Sequence, residues 1–204
     1  SSDVCSSDLK YRIEDIECSL IEFFLETIKI FSLKNSFIVG LIKNSSTTNE
    51  IKSYFLKNNI VVDLKNMERI FELLIPTKDR KLNGAFYTPS LVVDYIVNNT
   101  IESDQKICDP SCGTGAFLVS ATKKLALITK KKIIDIIENN IAGCDILEYN
   151  IRRAKILLTL LALEHGEDKK QIHFNLVCGD SLTLDWNDHF SKFSKPIIKN
   201  NKKF

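Results

Sequence analysis

Three aspartates and one glycine turn are the residues of this chain best placed to do chemistry. Lys106-Ile107-Cys108-Asp109 is a short apolar run that ends in an acid, and Pro110-Ser111-Cys112-Gly113-Thr114-Gly115 then leads into a helical segment that starts at Ala116. Gly113 and Gly115 carry no side chain to keep a ligand off the backbone, and a helix starting at Ala116 aims free N–H groups at the loop. A strand, loop and helix in that order cradle a charged or nucleotide-like ligand. Paired glycines also occur in any tight strand-to-helix turn, so the spacing alone leaves the plain structural reading open. A phosphate-binding P-loop would close on Gly-Lys-Ser/Thr, which is missing here.

The acid at the end of that run has two counterparts. Asp145 closes Ile141-Ala142-Gly143-Cys144, and Asp180 closes an alternating, then apolar, stretch over residues 172–180. The separations of 36 and 35 residues (145 − 109 and 180 − 145) each leave room for a crossover helix. Parallel strands so connected present three carboxyl groups along one edge, and open α/β sheets bind ligands outside the carboxyl ends of their strands. Taken singly, each acid could equally cap a helix or close a turn. Cys108, Cys144 and Cys178, one or two residues ahead of the acids, read as small core groups rather than ligands.

The elements that must position these groups follow from periodicity. Apolar residues at three- and four-residue steps over residues 11–33 predict an amphipathic helix at the start of the chain. Thr47 and Glu50 resemble a capping box for a second helix running to about Asn58, and a third spans residues 66–75 before Pro76 stops it. Thr88 as N-cap and Pro89 at the first helical position open a helix over residues 90–98. Helices over residues 116–129, 133–139 and 147–163 complete the set, the last so apolar that it must pack on the sheet. The fold class is α/β: a partial Rossmann-like domain on a parallel sheet over residues 81–204, preceded by a helical region over residues 10–80.

A chain of 204 residues with 44% hydrophobic and 26% charged residues can bury a proper core. Its net charge of +2 does not by itself argue for nucleic acid. No apolar run reaches the roughly 18 residues of a membrane span, and no signal core opens the chain, so the expectation is a cytoplasmic protein that does not engage a membrane. The six cysteines include no Cys-x-x-Cys pair, so neither a zinc site nor a disulfide framework is indicated and buried, reduced thiols are expected. Residues 1–9 match one reading frame of a common sequencing adapter and are set aside as a non-native leader.

Asp109-Pro110-Ser111-Cys112-Gly113-Thr114-Gly115 resembles the S-adenosylmethionine (SAM) loop of amino-methyltransferases that modify DNA, where Asp-Pro-x-Cys-Gly-x-Gly recurs nearly verbatim. Gly84-Ala85-Phe86-Tyr87-Thr88-Pro89, ahead of it, resembles the motif preceding that loop in adenine-N6 DNA methyltransferases. The likeness runs from about Gly84 to Asn200 and looks closest to fused type IIG restriction-modification methylases, with type I modification subunits as near relatives. It implies SAM as cofactor. Asp109, Pro110, Cys112, Gly113, Thr114 and Gly115 would hold the methionine part, and Thr88 would lie near its carboxylate. Asp145 and Ile146 would meet the ribose, and Asp180 and Ser181 the adenine. The chemistry agrees, because a ribose diol and an exocyclic amine are donors that carboxylates accept well.

The family's catalytic signature, Asn/Asp/Ser-Pro-Pro-Tyr/Phe, should follow a fourth strand. Its acceptors draw on the hydrogens of the adenine amine, so that the nitrogen lone pair localises for attack, and the aromatic stacks on a flipped base. Lys195-Pro196-Ile197-Ile198-Lys199-Asn200 keeps the outline of that strand, yet Asn201-Lys202-Lys203-Phe204 stands where the prolines are due. Asn200 and Phe204 could align; no catalytic residue and no metal ligand is assigned. The expectation is an inactive fragment, broken by a slipped base in A-rich codons, of an enzyme whose partner is DNA, engaged through regions not present here; a genuine diverged tail whose lysines are simply solvated is the alternative to the break. A SAM-binding fragment without enzymatic role and an RNA or protein amino-methyltransferase are the rival readings.

Overall fold

The computed structural model describes residues 11–42, 48–76, 78–80 and 88–190. Four helices come first: α1 (Ile13–Thr27), α2 (Ser36–Ile42), α3 (Thr48–Lys57) and α4 (Leu64–Leu73). Then follow α5 (Ser90–Thr100), β1 (Ile107–Asp109), α6 (Ala116–Thr129), α7 (Ile133–Asn139), β2 (Ile141–Asp145), α8 (Glu148–Glu164), β3 (Asn175–Cys178) and α9 (Trp186–Phe190). The strands form a parallel sheet in the order β1-β2-β3, with Asp109 opposite Gly143 and Asp145 opposite Cys178. Among the described residues no helix is long and apolar enough to cross a membrane.

The expected helix over residues 11–33 stops at Thr27, and α2 begins only at Ser36. Lys29 takes a left-handed backbone (φ 60°), and the Ile30 N–H folds back onto the Leu25 carbonyl at 2.9 Å, which ends α1. The chain is then gripped from far away: the Lys34 and Asn35 amides donate to the Asp168 carboxylate at 2.7 and 3.0 Å. Asn35 in turn caps α2, its Oδ1 accepting the Ile38 N–H at 3.1 Å. Periodicity carries no trace of a hold by a residue more than 130 positions on.

Smaller shifts have local causes. Asp63 caps α4 by accepting the Asn66 N–H at 2.7 Å, so this helix starts at Leu64 rather than at Asn66. Pro89 is the N-cap of α5 rather than its first residue, its carbonyl accepting the Val93 N–H at 3.1 Å, which leaves Thr88 outside the helix. The third strand runs only over Asn175–Cys178, and Asp180 lies two residues past its end. Thr47, the motif over residues 84–87, the leader and the outlined fourth strand with Asn200 and Phe204 lie outside the described residues.

The thiols need a correction as well. Cys144 and Cys112 are buried, but Cys108 and Cys178 are exposed, because β1 and β3 are the two edges of the described sheet and β2 alone is flanked on both sides. The core is continuous from α1 and α4, through Phe24, Met67 and Phe71, to Leu157 and Leu161 of α8. Where α8 meets the first helices, a charge is buried. Arg153, 2% exposed, donates from Nε to Glu17 Oε1 at 2.7 Å and from Nη1 to the Phe71 carbonyl at 3.1 Å. Its guanidinium carbon lies 5.8 Å from the Phe71 ring centre and 4.9 Å from that of Tyr149. Arg152 also pairs with Glu17.

Candidate cofactor-binding site

The turn after β1 closes over the end of β2. The Cys112 N–H donates to the Cys144 carbonyl at 2.9 Å, and the Gly115 N–H donates to the Cys112 carbonyl at 2.8 Å. Asp109 begins the turn by accepting the Ser111 N–H at 3.0 Å. Burial pushes the Asp109 carboxyl above the ordinary carboxylate range, with Asp145 adding to the shift and the Ser111 amide opposing it. Cys112 is buried, and burial followed by the fields of Asp109 and Asp145 pushes its thiol far up, which makes it a packing group rather than a nucleophile.

The glycines are needed for space as well as for conformation. Gly115 has φ 100°, and a Cβ there would stand 3.0 Å from the Ala154 Cβ and 3.1 Å from its Cα. At Gly143, in β2, a Cβ would lie 3.0 Å from Leu176 Cδ2 and 3.1 Å from Cys112 Sγ. The loop therefore sits tight against α8 at Ala154, and β2 sits tight against the Leu176 and Cys112 side chains.

Asp145 is the joint of the site. Its Oδ2 accepts the Gly113 N–H at 2.9 Å, while Oδ1 accepts the Leu147 N–H at 2.9 Å and the Asn150 Nδ2 at 3.0 Å. A carboxylate offers about four acceptor positions, so one remains, on Oδ2, for a donor from outside. Asp180 is exposed at the next strand end, its Oδ1 accepting the Leu182 N–H at 3.0 Å. Ser181, beside it, gives its carbonyl to Trp186 Nε1 at 3.0 Å. Ile146 and Leu182, 54% and 94% exposed, add apolar surface next to the two acids. The structure thus brings together Asp109, Cys112, Gly113, Thr114, Gly115 and Asp145, with exposed Pro110 on the rim and Asp180 on the neighbouring strand. Thr88 stands half-buried ahead of α5, and its relation to the loop runs through α5, tied to α6 by the Ser120 hydroxyl on Asp94 Oδ1 at 3.0 Å.

An arrangement of this kind can accept hydroxyl and amine donors at two adjacent strand ends, Asp145 and Asp180, while the amides of Ser111, Cys112, Gly113 and Gly115 are taken up within the turn and by β2. A cleft of about 230 Å³ nearby is something else: it follows the flank of α6, lined by Glu68, Val93, Asp94, Val119 and Lys123, and includes none of the three aspartates. Reading motifs alone passes over Asn150, which orients Asp145, and Glu72, whose Oε1 accepts the Thr114 hydroxyl at 2.7 Å. A signal for the second was present: Glu72 lies one residue after Phe71, beside the apolar face formed by Leu64, Met67 and Phe71.

The family model described as N-6 DNA Methylase matches residues 64–204. A Methanocaldococcus jannaschii protein that bears the name of a type II restriction enzyme and methyltransferase is 27% identical over 246 aligned positions, covering 73% of this chain and 21% of the relative. The type I restriction enzyme MjaIX methylase subunit of the same organism is 43% identical over 65 positions, which is 32% of this chain and 11% of that one. Among solved structures, a DrdV–DNA complex aligns with a TM-score of 0.49 at 15% identity, covering 83% of this chain and 20% of that one. The chain spans about a fifth or less of the length of these relatives. With the family model matching well over half of it, the chain belongs to the N-6 DNA methylase family.

Proposed function

We propose that this chain carries the SAM-binding part of an adenine-N6 DNA methyltransferase of a restriction-modification enzyme that acts in the cytoplasm. The observation that supports the reading most is the Gly113 amide on Asp145 Oδ2, which joins the glycine loop to the second strand and leaves one carboxylate position for a ribose hydroxyl. When bound, the cofactor supplies a methyl group on a sulfonium, ready for attack by a nucleophile. The work of this chain is to bind and orient. Asp145 takes the ribose, Asp180 the adenine amine, and Ile146, with Ser181 and Leu182, the faces and edge of the ring. The Asp109 loop, with Pro110, Cys112, Gly113, Thr114 and Gly115, holds the methionine part, and Thr88 stands near its carboxylate. No methyl-transfer group is assigned to this chain, and contacts with DNA belong to the longer parent.

Isothermal calorimetry of the full chain with SAM tests the site. Asp180→Ala removes an exposed acceptor with little structural duty and weakens SAM by about tenfold, the loss expected for one charge-assisted hydrogen bond near solvent. Absence of binding, or an unchanged affinity in that variant, overturns the assignment. For the substrate, tritiated methyl groups pass to adenine in duplex DNA when the parent enzyme is assayed; label in RNA or protein instead moves the reading to those classes.

A further inference from the structure

We infer that Glu72, on α4, is a positioning residue of the glycine loop, setting it for the amino-acid end of SAM from the side opposite Asp145; this rests on the function proposed above. Thr114 lies between the two glycines and is 1% exposed, and its hydroxyl has its partner in Glu72 Oε1 at 2.7 Å. The same oxygen would stand 3.7 Å from a Cβ at Gly113, so the carboxylate looks directly onto the loop backbone. Glu72 itself is firmly rooted. The preceding Phe71 carbonyl accepts Arg153 Nη1 at 3.1 Å, and the Glu72 and Leu73 carbonyls both accept Arg80 Nη2 at 2.9 Å. The loop is thus clamped by two carboxylates, Asp145 on the Gly113 amide and Glu72 on the Thr114 side chain. Gly113 and Gly115, at φ 52° and 100°, have no side chains of their own to select these angles, so the clamp supplies what glycine lacks.

A buried hydroxyl could also be satisfied for stability alone, and the test must separate the two roles. Calorimetry on the full chain uses SAM and 5′-methylthioadenosine, which lacks the amino-acid end. Glu72→Ala and Thr114→Val each weaken SAM by about tenfold and change methylthioadenosine by less than about twofold, while Glu72→Gln, which keeps an acceptor, stays within about threefold of the parent chain. The double variant Glu72→Ala/Thr114→Val is no weaker than either single one, since the two residues act through one bond. Amide exchange at Gly113 and Gly115, measured without ligand, speeds up in Glu72→Ala and Thr114→Val but not in Glu72→Gln. Glu72→Ala binding SAM like the unmodified chain, or losing both ligands equally, overturns the inference while leaving the proposed function intact. An unmodified chain that binds neither ligand sinks both.

Discussion

Replacing Glu68 by Gln should stabilise the protein, and only above acidic pH. Glu68 is 8% exposed on α4 and, among the described residues, has no hydrogen bond or ion pair. Burial, then the neighbouring Glu72, pushes its carboxyl up to about 7; Asp94 on α5 adds to the shift, while Lys123 on α6 and Lys65 on α4 oppose it. The folded pKa is raised above the unfolded one, so the contribution to stability is fully present below the ordinary glutamate range and is lost as pH climbs through about 7. Converted at 1.36 kcal/mol per unit, and reduced because the cleft beside α6 admits solvent and holds Lys123, the loss amounts to about 2 kcal/mol. Glutamine has the same shape and never ionises. Urea unfolding followed by circular dichroism at several pH values between 4.5 and 8 should show Glu68→Gln and the parent chain nearly equal at the acid end, with the variant ahead by about 2 kcal/mol at pH 8. A difference that does not change with pH would refute the reasoning, since it would mean that the folded protein leaves the titration of Glu68 where the unfolded chain has it.

Two further outcomes follow from packing. Glu17→Ala strands Arg153 without its anion in the core, which should cost about 3–5 kcal/mol in chemical unfolding, and adding Arg153→Met should recover most of that loss because no buried charge is left behind; equal losses in the single and double variants would count against a paired buried charge. Gly115→Ala forces a left-handed backbone on a side chain that meets Ala154 at 3.0 Å, so SAM binding should vanish, with partial recovery in Gly115→Ala/Ala154→Gly, and calorimetry showing intact binding in the single variant would contradict the loop geometry.

The parts legible in the sequence are those encoded locally. The glycine loop, the acids at the ends of β1 and β2, and helices α6 and α7 lie where strand length, turn residues and helical period put them. What could not be read depends on partners far along the chain. The hold of Asp168 on the Lys34 and Asn35 amides ahead of α2 is one case, and the exposure of Cys108 and Cys178 depends on which strands are edges, a property of the sheet and not of an apolar run. Asp145 shows the same limit within the site. Its type and its place after an apolar run point to a ligand, but that three of its acceptor positions serve Gly113, Leu147 and Asn150 emerges only once the loop is folded over it.

The helix α8 is where these long-range constraints meet, and its spacing shows how. Asn150 and Ala154, four residues apart, share the face that meets the glycine loop: one orients Asp145, and the other is small enough to let Gly115 approach. Asn150 does so with its Oδ1 buried and unpartnered among the described residues, a cost on the order of 1–3 kcal/mol. Tyr149 and Arg153, again four apart, share the adjoining face, where Tyr149 donates its hydroxyl to Asp79 at 2.9 Å and Arg153 holds Glu17 and the Phe71 carbonyl. One helix thus grips the glycine loop with one face and α1 and α4 with the other. Because Phe71 immediately precedes Glu72, the second grip returns to the loop through Thr114. Asp145 through Asn150, and Thr114 through Arg153, the Phe71 carbonyl and Glu72, both lead back to α8, so the two carboxylates that clamp the glycine turn rest on one support.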